Sequence, residues 1–122
     1  MAHPPRTISV DNLSSSAVIV DKGRIADNFF TRLRGLIGVR EFAPGDGLWI
    51  KPCSSIHCMF MSIPIDVLYL DKGQRVVGMD RNVRPWRMGH FYRKVHSVVE
   101  LPVGALDQSA VEIGDQLRVT PG

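Results

Sequence analysis

IDVLYLDKGQRVVGM, residues 65–79, is the stretch whose reading decides the fold. Residues 65–70 are apolar, β-branched or aromatic except for Asp66, and residues 75–79 resume an apolar character after Asp71, Lys72 and Gly73. Two extended runs joined by such a short turn signal read as a β-hairpin. The rest of the chain follows the same rhythm. Residues 7–10 and 17–21 read as β segments separated by the turn-forming DNLSSS, which predicts a second hairpin at the start. Residues 48–51 predict a strand that stops at Pro52, and residues 56–62 one that stops before Pro64. Residues 95–101 return to β structure, residues 102–110 read as a turn with one helical turn, and residues 116–120 close the chain behind Gly114 and Asp115.

One segment has a different period. From Asp27, a capping residue, Phe29 or Phe30, Leu33, Leu36 and Ile37 recur at helical spacing until Gly38 supplies a stop. The expected architecture is therefore mainly β: a small antiparallel β-barrel of about eight short strands, with one α-helix over about residues 28–37 packed on it. Closure into a barrel removes edge strands that invite aggregation, and a barrel mouth is a natural place for a ligand.

At 122 residues with 44% hydrophobic and 22% charged composition, the chain is expected to form a single domain spanning residues 1–122, with a short arm over residues 1–6. A chain of this size buries about two-thirds of its unfolded surface, so neither a metal nor a disulfide is needed to hold it together. No apolar run approaches the roughly 18 residues of a membrane span. The opening MAHPPR lacks the apolar core of a secretory signal, which predicts a cytoplasmic location. The net charge of +3 is too weak and too scattered for a dedicated nucleic-acid binder.

The chemistry-bearing residues gather in residues 49–71. Cys53, His57 and Cys58 make a C-x3-H-C cluster whose thiolates and imidazole suit zinc or copper, with Met59 and Met61 as soft partners for Cu(I). Against this, strand alternation puts Cys58 on the face opposite His57, and no second ligand pair completes a tetrahedral set. Buried cysteines and core methionines are the simpler expectation, and no cofactor is expected. Asp66 and Glu100 are carboxylates in strongly apolar strands. Each is either a structural acceptor of backbone N–H bonds or, if left unpaired, a general-acid candidate that hydrolase or lyase chemistry would combine with His57.

Residues 80–94, DRNVRPWRMGHFYRK, interleave basic and aromatic side chains and lack either regular period, so residues 81–94 are expected to form a long surface loop. Single-stranded nucleic-acid binders use such a mixture, but so do loops that cap a barrel end or hold a small anion, and nucleic acid is not the expected partner. Phosphate-loop, dinucleotide and serine-hydrolase signatures are absent.

Taken together, RLRGLIGVRE (32–41), GLWIKPCSSIH (47–57), FMSIPIDVLYLD (60–71), RPWR (84–87) and VVELPVGAL (98–106) resemble the bacterial and archaeal domain-of-unknown-function family 192, in matching order over about residues 7–120. The resemblance implies a compact β-rich fold with a short helix and carries no catalytic residues. His57, Asp66, Arg84, Pro85, Glu100 and Gly104 match the family pattern, whereas Cys58 and Ile37 stand where threonine and methionine are more usual. Many members resemble envelope proteins, so an envelope location is the alternative that the resemblance implies.

The functional expectation is a non-enzymatic binding domain for a small polar or anionic ligand, or a peptide. Its mouth would form from residues 52–57 and the loop over 81–94, with His57, Asp66, Arg84, Trp86, Arg87 and Glu100 as ligand-binding residues. The alternatives are a hydrolase or lyase, a protein-interaction module, and a metal-binding protein using Cys53, His57 and Cys58.

Overall fold

A computed structural model describes residues 7–26, 42–53, 63–85 and 91–122. They form seven strands and one short helix: β1 (Thr7–Asn12), β2 (Ala17–Ala26), β3 (Asp46–Ile50), β4 (Ile65–Leu70), β5 (Val76–Val83), β6 (Ser97–Leu101), α1 (Ala105–Ser109) and β7 (Leu117–Pro121). The strands make one sheet in the order β5-β4-β6-β3-β2-β1-β7, curled into a half-barrel. The expected helix over residues 28–37 and strand over 56–62 lie outside the described residues. Among those described, no helix is long and apolar enough to cross a membrane.

Both predicted hairpins form, β1 with β2 and β4 with β5, each antiparallel. The second is set by Asp71, whose carboxylate accepts the N–H groups of Gly73 and Arg75, both at 2.9 Å. This is the local bonding that makes aspartate a turn former. All other neighbours pair antiparallel except β2 and β3, which run parallel from Lys22↔Asp46 to Ala26↔Ile50. A parallel pair needs a long crossover connection, which residues 27–45 supply.

The expected loop over residues 81–94 starts later than its composition suggests. Arg81, Asn82 and Val83 continue β5, with buried Val83 opposite Ile65. The register shifts between Ile65 and Val67, and Asn82 takes a left-handed conformation (φ 52°), so the side-chain alternation that marks a strand is broken there.

The two faces of the sheet bury separate clusters. The inner face gathers residues from all seven strands, including Val10, Val20, Trp49, Leu68, Val76, Val99 and Leu117. Leu106 of α1 is fully buried among them, so α1 fills the barrel. The outer face gathers Ala26, Leu48, Ile50, Cys53, Ile65, Val67, Tyr69, Val83 and Val98, against which Phe42, Ile63, Tyr92 and Val95 pack. β4 and β6 sit between other strands and are buried along their whole length. The edge strands β5 and β7 are tied together at one end by the Arg75↔Gln116 bridge. The N–H of Val76 donates there to the Asp115 carbonyl at 2.9 Å, and the N–H of Leu117 to the Gln74 carbonyl at 3.0 Å. Away from that end α1 lies beside β5, where Arg81 pairs with Asp107 at 2.9 Å.

Candidate functional site on the outer sheet face

The polar groups of the outer face fall into two parts. At one part, the Tyr69 hydroxyl donates to Asp80 Oδ2 at 2.8 Å. The Tyr92 hydroxyl lies 2.9 Å from Asp80 Oδ1 and 2.8 Å from the Met79 carbonyl. The two rings stand 4.6 Å apart between centroids, tilted by 44°. Tyr92 can reach this position because Gly78 lies beneath it: a Cβ there would fall 2.4 Å from Cγ and Cδ1 of the ring. Burial, and after it the hydrogen bond to Asp80, drives the Tyr69 hydroxyl far above its usual range. The same two causes push Tyr92 up to about 12. Both phenols therefore stay protonated at neutral pH and act as donors that hold Asp80, rather than as bases.

The second part is Glu100. It is fully buried in β6, opposite Val67 on one side and Leu48 on the other. Neither carboxyl oxygen has a hydrogen-bond partner among the described residues. Burial alone pushes the carboxyl up to about 8, so the uncharged acid, with one donor and one acceptor, prevails at neutral pH. Two positions further along the chain, Pro102 lines a cleft of about 450 Å³ with Phe42, Pro44, Ile63, Pro64, Asn82 and Val103. Phe42 and Ile63 also pack on the outer cluster, so the cleft opens at one end of the outer face; Glu100 is not among its lining residues.

Asp66 lies on the other face. It shares the alternation of Leu68 and Leu70, and its carboxylate is filled by three backbone donors: Asn82 N–H at 2.9 Å, Gly104 N–H at 3.0 Å and Leu106 N–H at 3.1 Å. Gly104 presents its N–H from a left-handed conformation (φ 96°) at the start of α1. Asp66 thus staples α1 and β5 to β4, the structural alternative weighed from the sequence. Asp66 and Glu100 point to opposite sides of the sheet and do not share a cleft.

Of the mouth expected from residues 52–57 and 81–94, the described residues are 52–53, 81–85 and 91–94, and among these Cys53 and Arg84 stand at opposite ends of the sheet. Cys53 donates its N–H to the His96 carbonyl at 2.9 Å, beside the start of β6, and its side chain is buried in the outer cluster. Arg84, which is exposed, follows Val83 at the opposite end of the sheet, the end with the cleft. Tyr92 lies over Gly78 and against Asp80 of β5. His57, Cys58, Trp86 and Arg87 lie outside the described residues. Among the described residues, no three His, Cys, Asp or Glu side chains are grouped for a metal ion. Sequence reasoning missed Tyr69 and Asp80 and read Tyr92 only as a loop aromatic. The signal was Gly78, since a glycine inside a strand often marks the close approach of another group.

The model of the domain-of-unknown-function family 192, described as uncharacterised, matches residues 12–119. An uncharacterised UPF0127 protein of Thermococcus sibiricus is 35% identical over 114 residues, covering 87% of this chain and 71% of that protein. One from Pyrococcus abyssi is 37% identical over 113 residues, covering 88% and 93%. The fold matches that of a Sinorhizobium meliloti crystal structure with a TM-score of 0.75 at 19% identity, over 98% of this chain and 96% of that one. A protein of unknown function from Novosphingobium aromaticivorans matches with a TM-score of 0.71 at 17% identity, over 92% and 83%.

Proposed function

The chain belongs to the uncharacterised domain-of-unknown-function family 192, and within it we propose a non-enzymatic binding domain that holds a small polar ligand on the outer sheet face. The cleft of about 450 Å³ at one end of that face is the point of entry. Glu100, which is fully buried and does not line the cleft, is the anchor a ligand reaches once the wall between them opens. The observation that carries this reading is the Glu100 carboxyl, buried in an apolar wall with both oxygens unpartnered among the described residues. Leaving such a group unsatisfied costs roughly 1–3 kcal/mol, which a ligand that bonds to it recovers. Small-molecule sites have this composition, a mostly apolar concavity with a few placed polar groups.

Hydrolysis finds less support. Its acid and base would have to converge, and Asp66, on the inner face, is already committed to three backbone donors. Native mass spectrometry of the protein after incubation with a small-molecule extract of cells tests the reading. An organic adduct on the wild type that Glu100→Leu loses supports it. A bare wild-type mass, or an adduct kept in full by Glu100→Leu, contradicts it.

A further inference from the structure

We infer that the ligand group received at Glu100 is uncharged and presents a hydrogen-bond donor and an acceptor side by side, as a carboxamide or lactam edge does. The inference rests on the binding reading above and goes on to name the chemistry of the ligand. Its basis is what stands around the carboxyl. The cross-strand neighbours of Glu100 are Leu48 and Val67, and its neighbour two positions back on the same strand is Val98. The register places the next charged positions of that row one strand further out, Arg24 beyond Leu48 and Asp80 beyond Val67. Arg24 is exposed, and Asp80 is engaged by two tyrosine hydroxyls.

A ligand cation at Glu100 would therefore be buried against a single carboxylate with apolar walls on both sides. In such a place the loss of two hydration shells offsets or exceeds the attraction. A ligand anion would meet no fixed cation among these neighbours. A neutral edge with one donor and one acceptor satisfies a protonated carboxyl with two parallel hydrogen bonds and brings no charge into the wall. Burial holding the carboxyl in its acid form at neutral pH agrees with this geometry. The cleft at the end of the face, which Glu100 does not itself line, has the apolar walls that the body of such a ligand needs: Phe42, Pro44, Ile63, Pro64, Pro102 and Val103, with Asn82 as the polar member.

The test is a chemical-shift titration of the 15N-labelled full chain with three small probes of matched size: 2-pyrrolidinone, methylguanidinium and propionate. The expected result is saturable shifts at the Leu48, Val67 and Glu100 amides with 2-pyrrolidinone alone. Glu100→Gln keeps a donor and an acceptor at the same place, so its affinity should stay close to that of the wild type. Glu100→Leu should bind about tenfold more weakly, the worth of about one net hydrogen bond.

If methylguanidinium or propionate binds there instead, and 2-pyrrolidinone does not, the inference is overturned while the binding reading stands. If Glu100→Gln loses 2-pyrrolidinone as fully as Glu100→Leu, the paired donor–acceptor contact is wrong. If none of the probes moves those amides, both the inference and the binding reading fall, and the carboxyl serves ordered water alone.

Discussion

Asp66 and Glu100 carry the same functional group in neighbouring strands, at positions one residue apart in register, and meet opposite environments. Asp66 sits against three backbone N–H groups, whereas Glu100 meets apolar side chains. Asp66→Asn replaces one acceptor oxygen with a donor and should lower the free energy of unfolding in urea by roughly 2–3 kcal/mol. A loss below a few tenths would mean that the three bonds are not made. Glu100 should show the reverse. Its folded-state value of about 8 lies above the ordinary 4.5, so between these limits the folded state holds a proton that the unfolded state has released. Stability from this group is thus fully present below pH 4.5 and falls by about 1.4 kcal/mol per pH unit as pH rises toward 8. Glu100→Gln should remove that slope, matching the wild type at pH 4.5 and exceeding it at pH 8 by a few kcal/mol. Equal pH dependence of the two proteins would contradict the burial. The sequence showed both acids as carboxylates inside apolar strands. It could not show which one finds donors, because those come from residues 82, 104 and 106, far away along the chain.

At the scale of elements, the two hairpins were legible because turn chemistry and strand pattern agree at the same sites: DNLSSS between β1 and β2, and Asp71 to Gly73 between β4 and β5. The extent of β5 was not, since a register shift and the left-handed Asn82 break its alternation and leave Arg81 exposed. Tyr92 reaches β4 and β5 across Gly78, so Gly78→Ala should expel the ring from its place over β5. The expected cost is roughly 1–3 kcal/mol, the usual penalty of overpacking, with loss of the near-ultraviolet signal from the tyrosine pair. An unchanged tyrosine spectrum would show that the ring does not rest on that glycine. Amide exchange should follow position in the sheet: slowest in β4 and β6, which are buried and paired on both sides, and faster in the edge strand β7. Equal protection in β6 and β7 would argue against this strand order.

At the scale of the whole molecule, the mainly β architecture followed from the spacing of short strands, while the parallel pairing of β2 with β3 did not. Nothing in either strand's own sequence distinguishes a parallel neighbour from an antiparallel one, and the connection between them is long enough for both. The half-barrel has an inner face that α1 packs against and an outer face that keeps an acid without a hydrogen-bond partner among the described residues, set between apolar side chains. The sheet thus separates the Asp66 staple on its inner face from Glu100 on its outer face, and the proposed binding function turns on that one carboxyl. The most direct measurement is the pH titration of the Glu100 side-chain carbonyl carbon by NMR on protein labelled with 13C at glutamate, with Glu100→Gln to assign the signal. A midpoint near 8 is the predicted result. A midpoint in the ordinary carboxylate range near 4.5 would mean that the group is solvated or paired with a cation, and would contradict Glu100 as the neutral anchor of a binding site.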